Sequence, residues 1–431
     1  MKVTVEDAGP CRKIMHVEAP PDRILPEYNE VLKEYKRQAK LPGFRKGKAP
    51  EEIVEKHFLK EIAQDAQDRL VPMLYRKALV QESLQPVAVI GVSDTQFAKQ
   101  DGLSFKVTVD VPPDFKLPKY RNIKLKGEST TVGDDQVEET IANLRRRFAR
   151  YEDVTDRAVQ KGDLAQIDYR GTCEGKSLGE FASDCSGLAE ATDFWALVDE
   201  PEFLPGFPPQ IEGMRVGEEK DIAIHFPDDH HVEAVAGKDA VYHTAVKGIR
   251  EPILPELDEE FFNRFNVDSE EALRERIRSD LQEQADQNEE RRLREEAGKF
   301  LLSKTKMDVP ESIVEQETRM MVRDIVQRSA MQGMSREQME SQRDQIVSAA
   351  AQTSADRVKL SYILARIAEE EAIGVSDEEV QQRIADMASH NNMTEEQVRE
   401  ELDKRGTLEQ LETEMRTEKA MDFLLENAKI K

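Results

Sequence analysis

Cysteine is scarce in this chain: Cys11, Cys173 and Cys185 are the three among 431 residues. An odd number with no CxxC spacing argues against a disulfide framework or a zinc ribbon, and a reducing compartment is expected. No apolar run approaches the roughly 18 to 20 residues that span a bilayer, so no membrane partner is expected. Met1 to Pro20 interleaves Lys2, Glu6, Asp7, Arg12, Lys13 and Glu18 with scattered apolar residues. It lacks the apolar stretch of a signal peptide, and a cytoplasmic protein is expected. Neither a Walker-type phosphate loop nor a GxSxG elbow occurs, so nucleotide-driven work is not supported and no cofactor is expected.

Charge is what the chain has in quantity. Charged residues make up 35% of it, apolar residues only 38%, and the formal net charge is −25. That balance suits long solvated helices better than one compact core. A body so acidic repels phosphate, which excludes free DNA as a partner and restricts any RNA contact to a local basic patch. The length implies two or three domains.

Periodicity divides the chain. Tyr28, Val31, Leu32 and Tyr35 fall on one helical stripe ending near Pro42-Gly43. A second helical run from about Pro50 to Leu84 carries Ile53, Val54, Phe58, Ile62 and Leu70, with Pro72 expected to kink or divide it. Leu103, Phe105, Val107, Val109 and Val111 alternate with Ser104, Lys106, Thr108 and Asp110, the pattern of a half-buried strand. Pro112, Pro113 and Pro118 mark a stiff connector, followed by a helix with Val137, Ile141, Leu144 and Phe148 in register. From about 155 to 250 the texture is short strands and Gly/Pro turns. Beyond Pro252 and Pro255 it is helical, with stripes Leu273, Ile277, Leu281 and Ile313, Val314, Met321, Ile325. Ser376 with Glu379 forms a capping box, and Thr394 opens the next helix.

Between the first two helices runs Leu41-Pro42-Gly43-Phe44-Arg45-Lys46-Gly47-Lys48-Ala49-Pro50. Lys33 to Lys48 holds seven basic residues and one acidic residue, Glu34. Two glycines and two prolines force a turn. Charge and turn logic leave two readings: a docking tip that offers Phe44 between cations, or a solvated turn whose Phe44 folds back onto the core.

The string from Gly43 to Pro50 resembles the ribosome-binding signature of bacterial trigger factors. Leu254-Pro255-Glu256-Leu257-Asp258-Glu259-Glu260-Phe261 is similar to that family's passage into its C-terminal domain, and Asp308-Val309-Pro310-Glu311 to a later helix start. The resemblance covers essentially the whole chain. It implies that Phe44, Arg45 and Lys46, with Gly43, Gly47 and Lys48 shaping the loop, dock beside the exit tunnel of the large ribosomal subunit, on protein and rRNA. Unfolded nascent polypeptides are then the clients, and a homodimer off the ribosome is left open.

Residues 155 to 250 resemble the family's FKBP-like peptidyl-prolyl isomerase domain, most clearly at Phe203-Leu204-Pro205-Gly206-Phe207 followed by Ile211, Gly213, Met214, Gly217 and Glu218. The resemblance implies an apolar pocket formed by Tyr169, Phe194, Phe203, Leu204, Phe207 and Tyr242, with His230 where the family usually shows tyrosine. Two departures put catalysis in doubt while sparing peptide binding. The 179–193 segment is longer than the family pattern, with Phe181 in question as the aromatic there, and His230 replaces a phenol. Aromatic positions of this kind also fit a plain β-domain core.

His225, His230, His231 and His243 lie close in sequence, but adjacent His230 and His231 point to opposite sides of an extended strand, and no metal site is expected. Met320, Met321, Met331, Met334 and Met339 suit either apolar clients or gaps between helices.

The expected fold is α+β and multidomain. An N-terminal α+β ribosome-binding unit spans 1–115, a connector helix 116–154, a β-rich FKBP-like domain 155–250, and an extended all-α chaperone domain 251–431. The expected function is ATP-independent shielding of nascent chains. The rival from another class is an isomerase first, whose helices present substrates.

Overall fold

The computed structural model describes every residue except 182–185, 200–202, 229–234, 335 and 431. Strand β1 (Lys2–Gly9) and strand β2 (Arg12–Ala19) form a hairpin, followed by helices α1 (Pro21–Gln38), α2 (Glu51–His57) and α3 (Leu59–Glu82), then strands β3 (Ala88–Ala98) and β4 (Gly102–Asp110). The antiparallel sheet has the order β1-β2-β4-β3. The alternation in β4 puts Leu103, Phe105, Val107 and Val109 into one core with Ile24, Tyr28, Val31 and Leu32 of α1 and with Ile62, Leu70 and Leu74 of α3. This is the two-layer arrangement that a one-faced sheet and amphipathic helices require.

The second helical run divides at Phe58 and continues unbroken through Pro72. The Phe58 ring packs on Tyr35 and on His57, with centroids 5.6 and 4.8 Å apart, and its backbone leaves the helical region to reach them. Pro72 is exposed, so the carbonyl left without a donor four residues earlier meets water, which lowers the cost of proline there.

Next come β5 (Lys124–Leu125), α4 (Asp134–Arg147) and β6 (Arg150–Val154). The β-rich region follows: β7 (Leu164–Cys173), β8 (Lys176–Ser177), α5 (Leu178–Phe181), α6 (Ser186–Ala189), β9 (Glu190–Leu197), α7 (Pro208–Ile211), β10 (Glu219–His225) and β11 (Asp239–Ile253). Its sheet runs β10-β11-β7-β8, with β6 paired to β11 and β9 to β7. Helix α8 (Glu259–Asn263) is capped by the Asp258 side chain, which accepts from the Phe261 amide at 2.9 Å. With α9 (Glu270–Lys304) it closes over α4, burying Val137, Ile141, Phe261, Phe262, Leu273 and Ile277 together.

Helices α10 (Glu311–Met331), α11 (Arg336–Ser341), α12 (Arg343–Glu370), α13 (Asp377–Asn391), α14 (Glu395–Arg405) and α15 (Leu408–Glu426) follow, and β12 (Lys429–Ile430) pairs in parallel with β5. One core joins Leu293, Ala297 and Leu301 of α9 to Ile363, Leu364 and Ile367 of α12 and Leu424 of α15. The capping box at Ser376 and Glu379 forms reciprocally, and Thr394 does the same with Gln397. The α10 stripe is less covered than its period suggests: Ile313, Val314, Met321 and Ile325 are only half-buried, and no residue of that helix is fully buried.

The chain divides into two compact units, 1–128 together with 289–431, and 129–288. Among the described residues no helix is long and apolar enough to cross a membrane. Within the first unit the N-terminal sheet meets the helices at Asp110. Alternation in β4 places this residue on the polar side, yet it is 1% exposed. Its carboxylate accepts from Arg12 at 2.8 and 3.2 Å, and from the Ser312 hydroxyl at 2.6 Å and amide at 3.3 Å. Helix α10 begins at Pro310 without a side-chain cap of its own, so a residue 202 positions earlier satisfies its first turn.

Candidate functional sites: a basic loop and an aromatic pocket

The loop between α1 and α2 is fastened at its base and open at its tip. Leu41 and Ala49 are buried in the N-terminal core, and Lys36 pairs with Glu51 at 2.9 Å. Backbone bonds from Phe44 to Leu41 and from Lys48 to Arg45 fold it into successive turns. Gly43 and Gly47 take φ of +87° and +75°, values a side chain disfavours. Phe44 is left 41% exposed and does not fold back onto the core. Among the described residues no carboxylate pairs with Arg45 or Lys46, so both cations remain available. A hydrogen-bonded turn offering an exposed aromatic next to two unpaired cations can meet a surface that mixes phosphate with apolar protein.

In the second unit, the residues singled out for the pocket come together. Tyr169 on β7 lies 5.8 Å from Phe194, 5.5 Å from Phe203, 6.5 Å from Phe207 and 5.8 Å from Tyr242, centroid to centroid. Phe203 lies 5.1 Å from both Phe194 and Phe207. These spacings and the tilted or edge-on angles are those of attractive aromatic pairs. Phe207, Tyr242 and Leu204 are buried in this core, while Phe194 and Phe203 are half-buried at its edge. Burial pushes the Tyr169 phenol up, so it stays protonated through neutral pH. His230 and the core of the 179–193 segment, residues 182–185, lie outside the described residues. Around them Leu178–Phe181 and Ser186–Ala189 form short helices.

His225 and His243 pair across the β10–β11 ladder with Asp239 at 2.7 Å and Asp221 at 2.8 Å. Among the described residues no group of three or more His, Cys, Asp or Glu is disposed to hold a metal ion. Sequence reasoning missed Asp168, Asp193 and Lys247, which form a polar cluster beside Phe194. One signal was available: Ala191 and Phe194 are three apart in an apolar strand, out of phase for a regular pleat.

A small antiparallel sheet packed around an aromatic cluster is thus carried in a chain that is otherwise mostly helical. Known families match in that order. The bacterial trigger factor protein (TF) matches residues 1–144, the FKBP-type peptidyl-prolyl cis-trans isomerase 155–247, and the trigger factor C-terminus 270–426. The chain is 31% identical over 434 residues to the trigger factor of Opitutus terrae, covering 100% of this chain and 98% of the relative. It is 32% identical over 440 residues to that of Staphylococcus epidermidis, with the same coverage. A solved structure of the trigger factor chaperone aligns over 99% of each chain with a TM-score of 0.50 at 18% identity, a likeness of fold. The chain belongs to the bacterial trigger factor family. It is a chaperone with an FKBP-type peptidyl-prolyl isomerase domain, and a match of this length sets aside the reading as an isomerase first.

Proposed function

We propose that this chaperone works in the cytoplasm, docked on the large ribosomal subunit near the exit tunnel, and shields nascent chains without a nucleotide. The docking unit is 1–115, the connector 116–154, the isomerase domain 155–250 and the client-binding part 251–431. The observation that carries the docking is the anchored loop with Phe44 exposed next to Arg45 and Lys46. Clients would lie on weakly specific apolar surface. Val87, Ile313, Met320, Val358 and Tyr362 supply the apolar part of one groove of about 710 Å³ whose remaining lining is polar or charged, and Met331 is 76% exposed on α10. Broad contact with little ordering gives modest affinity and fast exchange, which suits release without energy input.

Co-sedimentation with 70S ribosomes tests the docking. The Phe44→Ala, Arg45→Ala, Lys46→Ala variant is expected to lose about a hundredfold in affinity, and removing two phosphate-facing cations should lower the salt slope by about 1.5. An unchanged pellet fraction and slope would exclude this loop as the contact.

The isomerase reading assigns Phe194 and Phe203 as walls, and Tyr169, Leu204, Phe207 and Tyr242 as floor, with His230 in the sequence position where the family usually shows tyrosine. Rotation about an X-Pro bond faces a barrier of roughly 18 to 20 kcal/mol from amide resonance. A water-poor aromatic cleft favours the twisted amide, which carries less separated charge than the planar one. Because Phe203 is half-buried, Phe203→Ala tests the cleft with less risk to folding than a floor residue. A fall of about tenfold or more in kcat/KM on a prolyl peptide is expected. Wild-type activity from this variant would remove Phe203 from the pocket.

A further inference from the structure

Side chains three residues apart in a regular strand point to opposite faces. Ala191 and Phe194 of β9 nevertheless pack on the same core. The pairing with β7 shows how: Phe194 faces Ile167 and Ala191 faces Tyr169, so Thr192 and Asp193 together oppose the single residue Asp168. This is a β-bulge, and Asp193 within it takes φ +55°. The extra residue restores the phase and turns the Phe194 ring edge-on to Tyr169 at 5.8 Å.

A bulge of this kind takes an amide out of the ladder, and here Asp168 receives it. The Asp193 backbone N–H donates to Asp168 Oδ1 at 2.7 Å. Lys247 Nζ from β11 lies 2.6 Å from Asp168 Oδ2 and 3.3 Å from Asp193 Oδ1, and Gln166 Nε2 donates to that same Asp193 oxygen at 3.2 Å. Two other strands, β7 and β11, thus hold the β9 bulge from its outer face, while Phe194 packs on the core.

We propose that Asp168 is a positioning residue of the isomerase pocket, its carboxylate holding the β9 bulge that aims Phe194 at Tyr169 and the bound prolyl ring. The inference rests on the reading of Phe194 as a pocket wall. Lys247 and the Asp193 amide hold the Asp168 carboxyl below its ordinary range, so the clamp is charged and complete at neutral pH. Without it, the positive-φ residue can relax toward a regular pleat, which would carry Phe194 off the wall.

The test is a double-mutant cycle on the full chain, reading kcat/KM on a prolyl peptide and, in parallel, binding of that peptide by the fluorescence of Trp195, the only tryptophan. Asp168→Ala is expected to lower kcat/KM about tenfold, Asp168→Asn to recover part of it by keeping an acceptor for the amide, and Asp168→Ala to cost less than about twofold in a Phe194→Ala background. If Asp168→Ala fails to fold, Lys247→Gln replaces it in the cycle, with an expected loss of about threefold and the same collapse of effect beside Phe194→Ala. Equal losses from the clamp variant with and without Phe194 would overturn the inference, as would a silent Asp168→Ala beside an impaired Phe194→Ala. A silent Phe194→Ala instead overturns the pocket reading. In the binding arm the same pattern of non-additivity is expected, and simple additivity counts against the inference.

Discussion

Asp110→Ala is expected to destabilise the junction between the N-terminal sheet and α10 by about 3 kcal/mol, the lower end of the cost of breaking a buried ion pair. Asp110 is buried, but Arg12 is 30% exposed and also reaches Glu311 at 3.0 Å, so its unpaired charge is partly relieved by water and by a second carboxylate. The same change strips the cap from α10, whose first turn has Pro310 in front of it and no side chain of its own to replace Asp110. Two local readouts separate this from general unfolding: hydrogen exchange at the start of α10, and alkylation of Cys11 followed by peptide mass spectrometry. Cys11 is buried beside Arg12 and its thiol donates to the Asp308 carbonyl at 3.4 Å, so its labelling rate reports opening of this junction. Ser312→Ala should slow neither process and speed both modestly, by the loss of one hydrogen bond of about 1 kcal/mol. Unchanged exchange and labelling in Asp110→Ala would show that the junction is held by packing alone.

The pH dependence of that junction has a definite sign. Burial pushes the Asp110 carboxyl up, but the Arg12 guanidinium and the Ser312 hydroxyl and amide together outweigh it and hold the carboxyl below its ordinary value. A carboxyl depressed in the folded state stabilises it fully above the unfolded-state value, near 4, and loses that contribution as pH falls through the lower folded value. Faster hydrogen exchange at the start of α10, relative to the intrinsic rate at each pH, is therefore expected only below about pH 4, and Asp110→Asn should abolish this acid step.

What was legible in the sequence follows from local rules. The β4 alternation, the α1 stripe, the capping boxes at Ser376 and Thr394 and the turn at Gly43 to Gly47 each depend on residues within a few positions of one another. The aromatic pocket became readable through the resemblance of Phe203 to Phe207. What stayed hidden depends on partners distant in sequence. Asp110 looks like an outward polar residue of β4 until Ser312 is brought against it. Phe58 rather than Pro72 divides the second helix because Tyr35, on another helix, supplies the ring it packs on. Asp168 acquires its role from Lys247 on a strand that arrives 79 positions later (247 minus 168).

Gly171→Ala is expected to damage the pocket although it adds one methyl group at a strand position with ordinary φ. Gly171 faces Tyr242 across the β7–β11 ladder. A Cβ there would lie 2.5 Å from Leu178 Cδ1 and 2.7 and 2.9 Å from Tyr242 Cε1 and Cζ, closer than van der Waals contact allows. Both neighbours are 0% exposed, so neither can swing into solvent, and overpacking of this kind costs about 1 to 3 kcal/mol. The Tyr242 ring is the part most able to shift, and it lies 6.0 Å from Phe207 and 5.8 Å from Tyr169, so its displacement is transmitted to the floor of the cleft. A loss of about tenfold in kcat/KM is expected beyond any change in the melting transition, because sub-ångström misplacement of binding walls is felt in the rate. Gly179→Ala is the control: its Cβ would lie 3.5 Å from the nearest atom, ordinary contact, and it should change stability by no more than about 0.5 kcal/mol. If Gly171→Ala melts and isomerises like wild type, the Tyr242 ring is not confined by β7, and the floor of the pocket tolerates more movement than its packing implies.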